Sequence, residues 1–592
     1  MRYVDELTDA VRSQLALAYG VKDQLGYAVR ARLREGYTTR DLVADGRAGV
    51  MVGLLTLPLA LALARTVGVA PQHGLYAAIV GGLVCALLGG SRLQVSGPTA
   101  ALAVLLQPIA MRYGLGGLLL CGLMAGGLLV VMGVARLGRL IQFVPHPVTT
   151  GLTAAVAVLV VLTQLRDALG IELTAHPTGT IELVRGLWDA RHTVQAADAV
   201  VAGATLALLV ATPRFLRRGP APLVVLAVVA VAVAVVTHLA TSVHVHTIAS
   251  SFTSVIDGET VHGLPPLPPL PALPWHRGDA SGARFAVDYH VVRELLPAAF
   301  SIAMLGAIDS LRTAVVADGM AGGPKHDPNA ELIALGIGNA LCACFGGIAC
   351  AGALTRTATN LRAGARSPFA AAIAAVLVLA CTIALAPLLS RLPLAGLAGL
   401  MVYLAWQTSE ARHFVRLLRI APRSDVVVLL VCFVLAVLFD LALAVSVGVV
   451  LAALLFMRRM AVLTRITLDT STADRLATPP GVRLYEIAGP MFFGAATVAM
   501  EALDNVGSDA ETVIVSLRRV DVMDATGLVA LESIVDRLRR SGRKVILCGL
   551  GPEVAALVDR AGIKRIPGEL AFAPDVDTAV SMAIVHTARA GA

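Results

Sequence analysis

From residue 48 to 457 the chain is a succession of apolar runs, with polar and charged residues confined to the gaps and to one interval at 241–292. Stretches 66–91, 113–135, 141–165, 332–355 and 367–390 contain no Asp, Glu, Lys or Arg. About 20 apolar helical residues cross a hydrocarbon core, so each run approaches or reaches the length of a membrane span. The pattern predicts spans at 48–64, 71–89, 97–112, 115–135, 146–165, 196–212 and 221–240, then at 293–312, 331–347, 353–366, 368–389, 394–407, 425–440 and 442–457. The proline-rich run from Leu264 to Pro274 divides the two sets of seven and reads as a stiff extended loop. Residues 1–47 are a polar lead-in.

After Met460 the pattern changes. Strand-like runs at Val482–Ile487, Thr512–Leu517 and Lys544–Cys548 alternate with helical patterns at Ala525–Arg540 and Pro552–Ala561. Such alternation predicts a small α/β domain over 461–592. The predicted fold class is therefore an all-α polytopic membrane domain over 48–460, joined to a small cytoplasmic α/β domain.

Composition agrees with a membrane location. Charged residues are 15% of the chain, against about 25% for soluble proteins. Aromatic residues are 4%, too few for the girdles of an outer-membrane barrel, which leaves helices as the spanning element. The formal charge of +8 reads as loop charge flanking the spans, not as a nucleic-acid surface. With a cytoplasmic N-terminus, the loops after even-numbered spans should be basic. They carry Arg92, Arg136, Arg139, Arg214, Arg217, Arg218, Arg362, Arg366, Arg412, Arg416, Arg419, Arg423, Arg458 and Arg459, which places both termini in the cytoplasm. The eight cysteines have neither zinc-site spacing nor a disulfide framework. There is no Walker loop, HExxH or GxSxG motif, so an ATP-driven pump and an intramembrane protease are disfavoured, and no metal or cofactor is expected. His73 and His146 fall near span starts, where an interfacial role is expected.

Two predicted spans are unusual. The third opens on Ser96-Gly97-Pro98-Thr99-Ala100 and the tenth on Cys350-Ala351-Gly352-Ala353-Leu354-Thr355. Both are short, both follow small helix-breaking residues, and both stand third in a set of seven. Paired interruptions of this kind point to a transporter site built from broken helices of an inverted repeat. Facing half-helices present unpaired N–H groups and positive dipole ends, which attract an anion. Arg356, just inside the tenth span, adds a full charge that is costly to bury; an anionic ligand and a structural ion pair both account for it. Asp309 lies within the eighth span. Three roles are open to it: neutralising Arg356, carrying a proton, or pairing with Arg312 one helical turn away.

The residues resemble a known family. Pro71-Gln72-His73-Gly74-Leu75-Tyr76-Ala77-Ala78, Gly89-Gly90-Ser91-Arg92, Val95-Ser96-Gly97-Pro98-Thr99-Ala100, Asn329-Ala330-Glu331-Leu332 with Gly336-Ile337-Gly338-Asn339, and Phe345-Gly346-Gly347 resemble the signature of the sulfate permease (SulP) family. The tail resembles a STAS domain, on Val522-Met523-Asp524-Ala525-Thr526-Gly527-Leu528. Within the family, Leu295–Ile308, Arg362-Ala363-Gly364-Ala365 and Val445–Gly448 are most similar to a bacterial C4-dicarboxylic acid transporter. The resemblance implies a seven-plus-seven inverted repeat with core and gate domains, a homodimer in the bacterial inner membrane, and an elevator-like movement. It implies a substrate site at Gly97, Pro98, Thr99, Ala100, Leu354, Thr355 and Arg356, with Asp309 as the proton-coupling residue. Thr526 stands where related domains carry a phosphorylatable serine; it is either a regulatory point or the cap of the following helix. The chain departs from the family pattern at Pro58-Leu59, at His73 and at Asp309, where the dicarboxylate branch has Glu.

The expected function is proton-coupled uptake of C4-dicarboxylates such as succinate, fumarate or aspartate. Bicarbonate, sulfate or chloride transport on the same fold is the alternative cargo, and a non-transporting sensor signalling through its STAS domain is the alternative class. The expected partners are the anion, a proton, lipid, a second copy of the chain and a cytoplasmic regulator of the STAS domain.

Overall fold

The computed structural model describes residues 24–141, 145–173, 179–212, 220–239, 244–256, 259–278, 284–463, 465–476, 478–491 and 510–590. It divides into two compact units, Met1–Val449 and Val450–Ala592.

Every predicted span falls on a helix, the last of them running across the boundary between the two units. The chain begins with α1 (Tyr27–Glu35), α2 (Thr39–Val67) and α3 (Gln72–Leu88, with a π-helical turn at Ala77–Gly81), followed by the two-residue strand β1 (Ser96–Gly97). The third and fourth predicted spans form one continuous element, α4 (Ala100–Val134), broken at Gly114, where φ is 66° and ψ −165°. Next come α5 (His146–Leu169), α6 (Thr180–Asp189), α7 (Ala196–Ala211) and α8 (Ala221–Leu239). The interval between the two sets of seven holds a hairpin, β2 (Thr253–Ile256) and β3 (Glu259–His262). The proline run follows without regular structure, as expected of residues that cannot donate to a ladder. The second set comprises α9 (Tyr289–Ala321), α10 (Pro328–Cys344), β4 (Ala351–Gly352), α11 (Leu354–Arg362), α12 (Phe369–Ala384), α13 (Leu394–Thr408), the amphipathic α14 (Ala411–Ile420), α15 (Arg423–Leu438) and α16 (Leu441–Leu463).

Among the described residues, five helices (α2, α4, α5, α8 and α9) are individually long and apolar enough to cross a membrane, and the pair α6–α7, bent by 118°, adds a sixth. Length alone identifies fewer crossings than the apolar pattern because several helices are short pieces joined by extended chain. α11, at 9 residues, is the extreme case.

Helix packing sorts the unit into two bundles. In one, α2 packs on α12 and α4, and α4 packs on α10 and α9. In the other, α5 packs on α13 and α15, and α7 packs on α13 and α8. Small residues permit the α4–α10 approach: a Cβ on Gly126 would lie 2.6 Å from the Gly336 carbonyl, and one on Gly336 the same distance from that of Gly126.

The second unit contains a five-stranded sheet in sequence order: β5 (Arg465–Leu468), β6 (Val482–Ala488), β7 (Thr512–Arg519), β8 (Lys544–Cys548) and β9 (Leu570–Ala573). β5 and β6 are antiparallel and the remaining pairs parallel. The crossover helices are α17 (Ala525–Arg540) and α18 (Pro552–Arg560), and α19 (Val576–Ala590) closes the chain. Alternate strand residues bury on opposite faces. Val513, Val515, Leu517, Val545 and Leu547 pack with Leu531, Ile534 and Val558, whereas Ile514, Ile546 and Cys548 pack with Ala579, Val580 and Ala583. The predicted strands and helices of the tail are found within one or two residues; β5, β9 and α19 are additional.

Candidate functional site

The two interrupted segments meet. β1 and β4 pair antiparallel, with Ser96 opposite Gly352 and Gly97 opposite Ala351. Each strand is too short to stand alone, and buried side chains hold both in place. On the β1 side, Glu331 of α10 accepts hydrogen bonds from the Gly90 and Ser91 backbone N–H groups, each at 3.0 Å, and from Gln94 Nε2 at 2.8 Å. Thr357 Oγ1 accepts from Val95 N at 3.0 Å, and Asn360 Nδ2 donates to the Leu93 carbonyl at 2.9 Å. On the β4 side, Asn339 clamps Cys350 from both sides: Nδ2 donates to its carbonyl at 3.0 Å and Oδ1 accepts from its N–H at 2.7 Å. Ser310 Oγ accepts from Gly352 N at 2.7 Å. Buried polar backbone without such partners would cost roughly 1–3 kcal/mol per group, so these side chains make a strand crossing feasible inside an apolar bundle.

The crossing aims two helix N-termini into one space. α4 starts after Thr99, whose side chain accepts from Leu102 N at 3.4 Å. α11 starts after Ala353, which has no side chain able to cap it, so its first-turn N–H groups lack a side-chain partner of this kind. Pro98 favours extended backbone in the residue before it and contributes no donor. Two glycines stand at close approaches: Gly97 has a φ of 153° and a Cβ there would lie 2.5 Å from Arg356 Nη1, and one on Gly352 would lie 2.5 Å from Gln94 Nε2 and 2.9 Å from the Ser310 Cα.

Both first turns line a cavity of about 480 Å³ within this unit. Pro98, Thr99, Ala100, Leu354, Thr355, Arg356 and Asp309 all line it, and Gly97 packs directly behind against the Arg356 guanidinium. Arg356 is 3% exposed, and its Nη2 donates to the Pro98 carbonyl. No carboxylate lies within ion-pair distance of it among the described residues, so the structural ion pair considered for it is absent there. Asp309 is half-buried and faces the same cavity, with no side-chain hydrogen bond or ion pair among the described residues. It makes no ion pair with Arg356 or Arg312, although the Arg312 charge one helical turn away acts on it through space. Arg312 instead donates to Glu410 Oε1 at 3.2 Å and to Thr153 Oγ1 at 3.1 Å.

His73 is buried, not interfacial: its Nδ1 lies 2.6 Å from the Gly346 carbonyl, tying α3 to the turn after α10. In the tail, Thr526 is exposed in the first turn of α17 and does not cap it; Asp524 does, accepting from Gly527 N at 2.7 Å. Glu331, Asn339, Ser310, Thr357 and Asn360 were not singled out as site-forming residues from the sequence. The available signal was the presence of Glu and Asn at fixed places in otherwise apolar helices, where polar groups are rare and usually partnered.

The sulfate permease family model matches residues 42–432, and the STAS domain model matches residues 475–579. The chain is 35% identical over 544 residues to YvdB of Bacillus subtilis, named provisionally as a sulfate transporter; the match covers 91% of this chain and 97% of that one. It is 28% identical over 552 residues to the bicarbonate transporter BicA of a Picosynechococcus species, covering 89% and 92% of the two chains. Among solved structures, the transmembrane domain of a cyanobacterium bicarbonate transporter BicA aligns with a TM-score of 0.57 at 25% identity, over 70% of this chain and 98% of that one. The overall structure of SLC26A9 aligns with a TM-score of 0.80 at 18% identity, over 98% and 96% of the chains, and so shares the fold. With the paired half-helices and the matched tail, these likenesses make the chain a member of the sulfate permease family of multi-pass membrane anion transporters, with a STAS domain at its C-terminal end.

Proposed function

We propose that the chain carries C4-dicarboxylates through the cavity between the α4 and α11 N-termini, together with a proton held on Asp309. The observation that carries the reading is Arg356: a buried guanidinium with a carbonyl partner but, among the described residues, no carboxylate, beside two helix N-termini, is an arrangement suited to an anion. Coupling through Asp309 is supported by its place on the same cavity wall, where it makes no direct ion pair among the described residues. In the same reading the chain is a homodimer in the bacterial inner membrane with both termini in the cytoplasm. The bundle bearing the half-helices shifts elevator-fashion against the other, and the STAS domain receives a cytoplasmic regulator at or near the exposed Thr526.

A second cargo, bicarbonate or sulfate, is favoured by the names borne by the relatives, and bicarbonate, a monoanion, also by Arg356 being the one buried guanidinium without a carboxylate partner that lines the cavity among the described residues. The deciding experiment is uptake of radiolabelled succinate into proteoliposomes under an imposed pH gradient, competed by fumarate, aspartate, sulfate and bicarbonate. Gradient-dependent succinate accumulation supports the dicarboxylate reading. Flux confined to an inorganic anion replaces the cargo, and binding without flux of any anion overturns transport.

A further inference from the structure

The cavity contains a second guanidinium that the site as described leaves unused. Five charged residues line it among the described residues: Asp309, Arg312, Arg356, Arg362 and Glu410. Arg362 is exposed and hence screened by water and salt. Of the four inner charges, Arg312 and Glu410 face each other at 3.2 Å, with side chains 30% and 33% exposed. They come from different bundles: Arg312 projects from α9, which packs on α4 and α11, whereas Glu410 precedes α14, which packs on α5. The pair therefore bridges the cavity and is not part of the packing of either side.

The backbone at Glu410 suggests that this placement is specific. Its φ is 48° and ψ 30°, a left-handed conformation rare for a residue with a Cβ and a long side chain. Glu410 stands at the N-cap position of α14, yet its carboxylate does not cap that helix. The acid instead reaches Arg312. Thr153 Oγ1 accepts a second hydrogen bond from the same guanidinium, fixing it against α5.

We propose that Glu410 is the specificity-determining residue for cargo charge: by occupying Arg312 as a tethered carboxylate, it leaves the cavity with one free guanidinium instead of two. A monoanion then binds at Arg356 with Glu410 undisturbed. A dianion engages both cationic groups only by displacing Glu410 from Arg312, so the tethered carboxylate competes with the second charge of the cargo. This role for Glu410 rests on the cavity being the anion site, whether the physiological cargo is a dicarboxylate or an inorganic anion. In either case the ratio of dianion to monoanion affinity is set by position 410.

The test uses the full-length protein in detergent and measures apparent Kd for succinate and sulfate, and for chloride and bicarbonate, by ligand-dependent thermal stabilisation in wild type and Glu410→Gln. Freeing one guanidinium for a charge-assisted contact is expected to raise the dianion-to-monoanion affinity ratio about tenfold. Glu410→Asp, which keeps the carboxylate, retains a ratio near that of wild type. An unchanged ratio in folded Glu410→Gln protein overturns the proposal. If that variant does not fold, Arg312→Gln reads the same quantity with opposite sign: the ratio falls if the proposal is correct, and an unchanged ratio overturns it. Absence of binding by any of the four anions to wild type would overturn the functional reading itself, and this inference with it, before any variant is compared.

Discussion

Replacing Arg356 by alanine separates the two reasons a membrane protein has for burying an arginine. Without ligand, the guanidinium keeps one carbonyl partner, Pro98, and no acid among the described residues. Its removal forfeits a hydrogen bond involving a charged group, about 1.5–3 kcal/mol, but also relieves the cost of holding a poorly compensated charge at 3% exposure. These contributions oppose each other, so the stability of the unliganded protein should change by no more than about 1–2 kcal/mol. Anion binding has no such offset. Losing a charge-assisted contact should cost about 1.5–3 kcal/mol, raising Kd roughly 10- to 150-fold. The assay is thermal unfolding of purified protein with and without anion. At a concentration of 100 times the wild-type Kd, binding stabilises wild type by about 2.7 kcal/mol. A variant weakened about 100-fold meets the same concentration at its own Kd and gains only about 0.4 kcal/mol. Arg356→Lys should fall between, since it keeps the charge but not the planar fork. A wild-type ligand shift in Arg356→Ala would refute the binding role. Destabilisation of the unliganded variant by more than about 3 kcal/mol would show that the arginine is structural.

Gly97→Ala should weaken anion binding without touching a charged residue, because the new methyl would sit 2.5 Å from Arg356 Nη1 and force the guanidinium aside; unchanged affinity would show that the guanidinium does not need its present position. Asp309→Asn should abolish pH-driven accumulation while sparing counterflow exchange, measured in the same vesicles; intact gradient-driven uptake would remove the proton from this residue. Glu331→Ala should destabilise the protein by about 2–4 kcal/mol, since three buried donors lose their acceptor, and Glu331→Gln by less because one acceptor oxygen remains; chemical or thermal unfolding reads both. If Thr526 is a regulatory contact, Thr526→Glu should alter transport rate with unchanged thermal stability, because the side chain is exposed and Asp524 caps the helix.

The tail shows how far local pattern reaches. Its strands alternate between two buried faces, Val513, Val515 and Leu517 on one and Ile514 on the other, and that alternation is readable from sequence because a strand repeats every two residues. β5 and β9 are not legible locally: each strand is only 4 residues long, too short to establish a period, and is defined by its ladder partner. The helical positions of the membrane domain are legible for a different reason: a charge-free run in lipid has few alternatives to a helix. The Gly114 break within α4 was legible only as a gap between two apolar runs.

The candidate site divides along a different line. The sequence determined that two glycine-punctuated segments stand in equivalent places, and that an arginine and an aspartate lie in apolar surroundings. These facts follow from composition along the chain, where an interrupted helix or a buried charge is conspicuous by its cost. Only the tertiary structure decided that Ser96 and Gly97 pair with Gly352 and Ala351, that Glu331 and Asn339 supply the missing backbone partners, and that Arg312 turns from Asp309, on its own helix, to Glu410. The strand pairing, the Glu331 contacts and the Arg312–Glu410 pair join residues about 100 or more positions apart, and the Asn339–Cys350 clamp, 11 positions apart, depends on the turn that folds the end of α10 back on its own helix. Sequence spacing carries local periodicity; pairing across that distance is settled by how the helices pack.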